Sequence, residues 1–402
     1  MTLPVFLSRN AFFQLLMLTR RLLHKKKHFF VRKFCDQKSC VLVRHPGVEN
    51  AVTRECFEIR DEKTTRELKN GEAEIETICL SVDPYMRCRF DGDTHPQLPQ
   101  YVTPFRLNEP LDGGGIGRII RSKVSNLKPK DYVVMPFVGY PWKTRCVLNL
   151  SDINSSTESE LGTFHIAAND VEETQVSHLL GVVGMPGLTA YCGIVHASNI
   201  SCEKQETVVI SAAAGAVGSI AGQIARTERG ARVVGICGSE EKCKILTENL
   251  GFDVAINYKS PEFESCLSEA LNDSGFDVYF DSVGGLVSER VLQYANLNAR
   301  IPICGQIASY EQNISYDSLV SSDKHFSSSK LRDHLRSQRV ERFRYLVLDY
   351  KDFFQDALNR LKLLCRDEKI LPLESVTEGF RPHEAFVDMM SGKNIGKAVI
   401  KI

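Results

Sequence analysis

Short apolar runs broken by turns dominate the first half of the chain. Over 75–83, apolar and polar positions alternate for part of the length, as in a strand with one buried face. At 113–120 a run of glycines feeds Ile116, Ile119 and Ile120, and at 131–135 Asp131 opens another apolar run. No long helical period occurs before about residue 175, so this part predicts a β-rich, barrel-like domain. Beyond about residue 180 the period changes. Residues 207–210 read as a buried strand, followed by a glycine-rich turn and a helix of small residues over 218–229. A strand over 232–236, a helix over 240–250 stopped by Gly251, and strands over 254–256 and 276–280 continue the alternation. Strand and helix in turn predict an α/β fold with a parallel, doubly wound sheet. Residues 311–340, rich in Ser, Asp and Arg, read as a loop or loosely ordered insertion, and a helix over 353–366 and a closing strand over 397–402 finish the chain.

Length and composition add bounds. With 402 residues, 43% of them hydrophobic, the chain can bury two cores, and a formal net charge of zero gives no reason to expect a nucleic-acid partner. The 13 cysteines are scattered and odd in number, which reads as reduced thiols rather than a disulfide framework. The first 35 residues stand apart: Arg9, Arg20, Arg21, Lys25, Lys26, Lys27, Arg32 and Lys33 are interspersed with apolar residues, and no acid precedes Asp36. Their apolar stretches are far shorter than the roughly 20 residues that span a bilayer, so stable membrane insertion is not expected. This leader reads as a mitochondrial transit peptide, a disordered extension, or upstream sequence translated from a mistaken start. The protein is expected in the cytoplasm, or in the mitochondrion if the leader is a transit peptide.

The most specific motif lies at 208–222. A buried strand runs into Ala212-x-x-Gly215-x-x-Gly218, and a helix follows. Glycines there let backbone approach a pyrophosphate, and the helix start turns free N–H groups toward it, so Gly215, Ala216, Val217 and Gly218 are expected to bind a dinucleotide. Alanine occupies the place of the usual first glycine. The second strand ends at Gly238 and Ser239 with no carboxylate for the ribose hydroxyls, and Lys242 follows about a turn later, which favours NADPH, although Glu240 and Glu241 argue the other way.

Together these motifs resemble a family. Segments 81–87 (SVDPYMR), 184–190 (GMPGLTA), the Ala-x-x-Gly-x-x-Gly turn, 279–285 (YFDSVGG) and 305–310 (GQIASY) occur in the order found in the zinc-free leukotriene B4 dehydrogenase/prostaglandin reductase branch of the medium-chain dehydrogenase/reductase superfamily. The resemblance runs from about residue 40 to 402. It implies a GroES-like barrel over 38–178 and 346–402, a Rossmann domain over 179–345, and residues 1–37 as leader or extension. It implies further NADPH contacts at Tyr258, Ser282, Cys304, Gly305, Gln306, Ile307, Ala308, Ser309, Tyr310, Tyr345, Leu346, Val347 and Asn394. Ser282 stands where the family has asparagine, which puts one contact in doubt. It also implies a monomer or homodimer.

Zinc-dependent members carry a catalytic Cys and a Gly-His-Glu motif. Neither occurs here: Cys79, Cys88 and Cys146 lack a His-Glu partner and ligand spacing, so no metal is expected. Hydride addition to an enone then needs hydrogen bonds at the carbonyl oxygen. By resemblance Tyr101 and Tyr310 are the catalytic candidates, with Tyr140 helping to shape the substrate pocket. The activity implied is NADPH-dependent 13,14-reduction of 15-oxo-prostaglandins and related lipid enones. A reductase of alkenals or quinones, and a non-catalytic NADPH-binding protein, are the alternatives.

Overall fold

The computed structural model describes residues 37–402 except 63–65, 152–163, 167–174, 316–317, 320–325 and 327. The basic leader lies outside the described residues. Two layered halves share the rest.

In one half, strands Val254–Asn257, Arg232–Cys237, Thr207–Ile210, Phe276–Phe280, Ala295–Ile303 and Glu341–Arg344 lie side by side in that order, all parallel. Every residue of Thr207–Ile210 is buried, as a strand covered by helices on both faces requires. Helix Ala216–Arg229 packs Ile220, Ala221, Ile224 and Ala225 on that sheet and ends at Gly230, whose φ of 64° is the left-handed cap. The predicted helix over 240–250 is shorter: Glu240–Lys244 is α-helical, and Ile245–Asn249 widens into a π turn before Gly251.

The other half is a sheet ordered Glu374–Glu378, Lys397–Lys401, Glu72–Ser81, Asp112–Ser122, Tyr132–Pro141 and Phe164–Ile166, with Arg145–Asn149 also on Glu72–Ser81. The first two strands are parallel and the other pairs antiparallel. Trp142, Phe90, Phe105 and Phe386 fill its core. The helix Phe354–Arg366 buries Phe354, Ala357, Leu361 and Leu364 in the same core as Val208 and Ile210, so the chain rejoins the barrel sheet only at Glu374.

Two expectations need correction. Within 311–340 lies a nine-residue helix, Ser329–Ser337, where a loop was expected. Leu331 and Leu335, one turn apart, bury its one apolar stripe, and the Ser328 hydroxyl caps it by accepting from Leu331 N. Tyr140 is wholly buried, and its hydroxyl lies 3.0 Å from Thr77 Oγ1. A β-carbon on Gly115 would overlap its ring, and one on Gly117 would overlap its hydroxyl. The glycine run therefore makes room for this ring inside the barrel, and Tyr140 does not line a substrate pocket.

The turn Pro84–Arg89 that follows Asp83 is anchored by buried charges. Arg87 is fully buried; it pairs with Asp91 at 2.7 Å and donates to the carbonyls of Gly47, Val48 and Asn50. Lys397, also buried, donates to Val82 O at 2.7 Å and to Asp83 at 2.8 Å, tying the last strand to the same turn. Removing one member of a buried pair strands the other's charge. Arg87→Met is expected to lower stability by about 3–5 kcal/mol, read as a fall in the urea midpoint, whereas a loss within experimental error would show that the pair contributes nothing.

Candidate active site

Ser211 to Gly218 carry the chain from Thr207–Ile210 into the helix. Ala212 has φ 46°, the left-handed region, which explains why glycine is the usual residue at this place. Gly215 caps the helix, and a β-carbon on Gly218 would lie 2.9 Å from Ala213 Cα and overlap Ala212 O, so glycine alone fits. The N–H groups of a helix's first turn have no acceptor within the helix, which suits those of Ala216, Val217 and Gly218 to an anion.

Beside this turn, Asp281 is a five-way acceptor. It takes hydrogen bonds from the hydroxyls of Ser211, Tyr279 and Ser288 and from the backbone N–H groups of Val283 and Gly284. That network fixes the 281–285 turn. Ser282 N donates to Ser211 Oγ at 2.8 Å, while the Ser282 hydroxyl is buried and faces the Cys304 thiol. Burial pushes that thiol up to about 12, the Ser282 hydroxyl opposing.

Around the second strand's end, Ser239 caps Glu240–Lys244 by accepting from Lys242 N at 3.3 Å. Lys242 Nζ donates to Gly392 O at 2.7 Å, and burial lowers its pKa. Tyr258 is 41% exposed; a β-carbon on Gly238 would lie 3.1 Å from its ring. Asn394 donates to Gly396 O at 2.8 Å, and Gly396 N donates to Ala214 O at 2.7 Å. The barrel's last loop thus touches the glycine turn through Gly396 and the helix Glu240–Lys244 through Gly392. Tyr345 does not offer its side chain: it is buried against Phe280, and its hydroxyl donates to Thr189 O. Val347 is buried in the same core, which leaves backbone as that segment's means of contact.

The two tyrosines approach from different halves. Tyr310 follows the turn Ile307–Ser309, and its hydroxyl lies 3.7 Å from where a Gly305 β-carbon would be. Tyr101 belongs to the barrel and packs on Phe137, with ring centroids 5.6 Å apart. Burial pushes its phenol up to about 12, with Cys304 adding to the rise and Arg344 opposing it. Both of those neighbours belong to the nucleotide half. Two residues escaped the sequence reading: His95 and Gln97, buried in a barrel loop, make hydrogen bonds to the backbone of Tyr310 and Ser309. A segment such as 91–99 reads only as a turn, so nothing in it signals this contact.

The region matching the family model "Zinc-binding dehydrogenase" spans 216–347, and "N-terminal domain of oxidoreductase" matches 38–154. Prostaglandin reductase 1 of Mus musculus is 34% identical over 90% of this chain and 98% of its own. The chain belongs to the medium-chain dehydrogenase/reductase superfamily. Within it, NADPH-dependent curcumin reductase of Escherichia coli is 32% identical over 83% of this chain and 88% of its own. A CurA structure from Vibrio vulnificus in complex with NADPH matches with a TM-score of 0.74 and 29% identity, over 90% of this chain and 98% of that one. Zinc, named in the first family description, does not fit the donors here. Among the described residues no three His, Cys, Asp or Glu groups come together to hold a metal, and Cys79, Cys88 and Cys146 are each buried. Among the described residues no helix is long and apolar enough to cross a membrane.

The strain at Ala212 is testable. A left-handed alanine costs about 1–2 kcal/mol, and glycine returns part of that as freedom in the unfolded chain. Ala212→Gly is expected to raise stability by about 0.5–1 kcal/mol, seen as a higher urea midpoint with cofactor binding retained; a lower midpoint would contradict the conformation.

Proposed function

We propose that this protein reduces the conjugated C=C bond of 15-oxo-prostaglandins and related lipid enones at the expense of NADPH. It is an NADP-dependent oxidoreductase of a family that includes prostaglandin and curcumin reductases. The observation that supports the reading is that the adjacent residues Cys304 and Gly305 have a phenol near each of them: Tyr101, from the barrel side, feels Cys304 and Arg344, and the Tyr310 hydroxyl lies beside Gly305. The motifs resembling the leukotriene B4 dehydrogenase/prostaglandin reductase branch support the choice of a 15-oxo lipid.

Ala216 to Gly218 offer backbone N–H groups to the pyrophosphate, Gly215 N being held by Ala212 O, and Lys242 a charge to the 2′-phosphate after leaving Gly392 O. Bound there, NADPH supplies hydride to the β-carbon of the enone. Negative charge then builds on the carbonyl oxygen as the enolate forms. The phenols of Tyr310 and Tyr101 donate hydrogen bonds to that oxygen, each worth on the order of 3 kcal/mol of barrier. Burial raises the pKa of Tyr101, so its protonated form persists to high pH, and the donor is lost only as pH approaches about 12. The α-carbon finally takes a proton from solvent.

In the purified protein, 15-oxo-prostaglandin E2 is expected to consume NADPH and yield the 13,14-dihydro ketone, with kcat/KM above that for a short alkenal. The reverse order would favour an alkenal reductase, and no NADPH consumption with any enone would refute catalysis. Tyr310→Phe is expected to lower kcat about 100-fold while the NADPH dissociation constant, read by fluorescence, stays within about twofold. Lys242→Ala is expected to weaken NADPH on the order of tenfold more than NADH; equal weakening would remove Lys242 from the 2′-phosphate.

A further inference from the structure

Between Phe90 and Tyr101 the barrel sends a short loop to the nucleotide half. Its base is rigid: Asp91 is paired with the buried Arg87 and accepts from Gly47 N at 2.8 Å, and Thr94 Oγ1 donates to Asp91 O at 2.7 Å. His95 and Gln97 follow, 3% and 6% exposed. The Nδ1 of His95 accepts from Gln97 N at 3.1 Å, which leaves the ring proton on Nε2. Nε2 then donates to Tyr310 O at 3.0 Å. Gln97 Nε2 donates to Ser309 O at 2.7 Å. Two adjacent carbonyls at the end of one turn are thereby gripped from the opposite half.

That turn is short and closed mainly on itself, through Ser309 Oγ to Gln306 O and Tyr310 N to Ile307 O. A carbonyl held in direction fixes the peptide plane and hence where the side chain of the same residue leaves the backbone. The other phenol has a matching support six residues earlier in the same segment. Arg89 Nε donates to Thr103 O at 2.7 Å, two residues past Tyr101, while its other nitrogens pair with Asp112. One stretch of barrel, 87–97, thus reaches the backbone next to both phenols.

We propose that His95 and Gln97 are positioning residues for the reduction: from the barrel they hold the Tyr310 backbone so that its hydroxyl meets the carbonyl oxygen together with that of Tyr101. The inference rests on the reading of Tyr310 as an oxyanion donor. Displacement by about 1 Å of a group that aligns a reaction costs on the order of 100-fold in rate, so loss of the grip should appear in turnover rather than in cofactor affinity. A grip that only joined the two halves would lower stability and NADPH binding together.

The test uses the full chain with ethyl vinyl ketone and with 15-oxo-prostaglandin E2. His95→Phe and Gln97→Met are each expected to lower kcat about tenfold or more, with the NADPH dissociation constant within about twofold. His95→Gln, which keeps an N–H for Tyr310 O, is expected to restore most of the rate. Added to Tyr310→Phe, His95→Phe is expected to cause no further loss, because the group it positions is gone. If Tyr310→Phe keeps full rate, the donor reading itself falls. If Tyr310→Phe is slow but His95→Phe lowers the rate equally in both backgrounds, the donor stands and positioning is overturned. A rise in the NADPH dissociation constant with unchanged kcat overturns it as well. Should His95→Phe fail to fold, Gln97→Met carries the same comparison.

Discussion

The contact between the two halves is the constraint on which the proposed reduction depends, because a donor from each would have to reach one oxygen atom within the few tenths of an ångström that a hydrogen bond tolerates. Several bonds hold that contact. The backbone bond from Gly396 to Ala214 ties the barrel's closing strand to the glycine turn, and Lys242 to Gly392 adds a second tie nearby. Gln223 adds a third, exchanging two bonds with the backbone of Leu371. The buried charges are spent inside the barrel: Lys397 on Val82 O and Asp83, and Arg87 on Asp91 and the carbonyls of Gly47, Val48 and Asn50.

Much of the nucleotide half was legible in the sequence, because a parallel strand buried on both faces leaves a continuous apolar run and its turn leaves glycines. The motifs also singled out Tyr101, which lies on Phe137 of the barrel and close to Cys304, and Tyr310, whose hydroxyl lies beside Gly305. What sequence could not convey was volume. Tyr140 beside Trp142 looks like a pocket residue until Gly115 and Gly117 are seen to form its slot from another strand. The helix Ser329–Ser337 escaped because two leucines in a polar segment make a weak period, and only packing against the sheet core makes it hold. His95 and Gln97 escaped because their partners are backbone carbonyls more than two hundred residues away, which carry no residue identity to match.

Ala212 and Ser282 are the two places where the chain departs from the expected pattern, and their physics differs. Ala212 keeps the backbone path of a glycine and accepts steric cost for it. Ser282 keeps the backbone bond to Ser211 and ends in a buried hydroxyl that faces the Cys304 thiol. The Asp281 network beside it is complete without that hydroxyl, so the turn's shape does not depend on which residue stands at 282.

The interlock of Gly115, Gly117 and Tyr140 also constrains how this sequence can diverge. A side chain at 117 becomes tolerable only in a chain that has already shed the ring at 140 and the γ-methyl of Ile75, since both occupy that space. The reverse change, a smaller residue at 140, would leave a hollow between two strands that only bulk at 115 or 117 could refill. Descendants of this chain should therefore trade these three positions as a set, with intermediates that alter one alone being the rare ones.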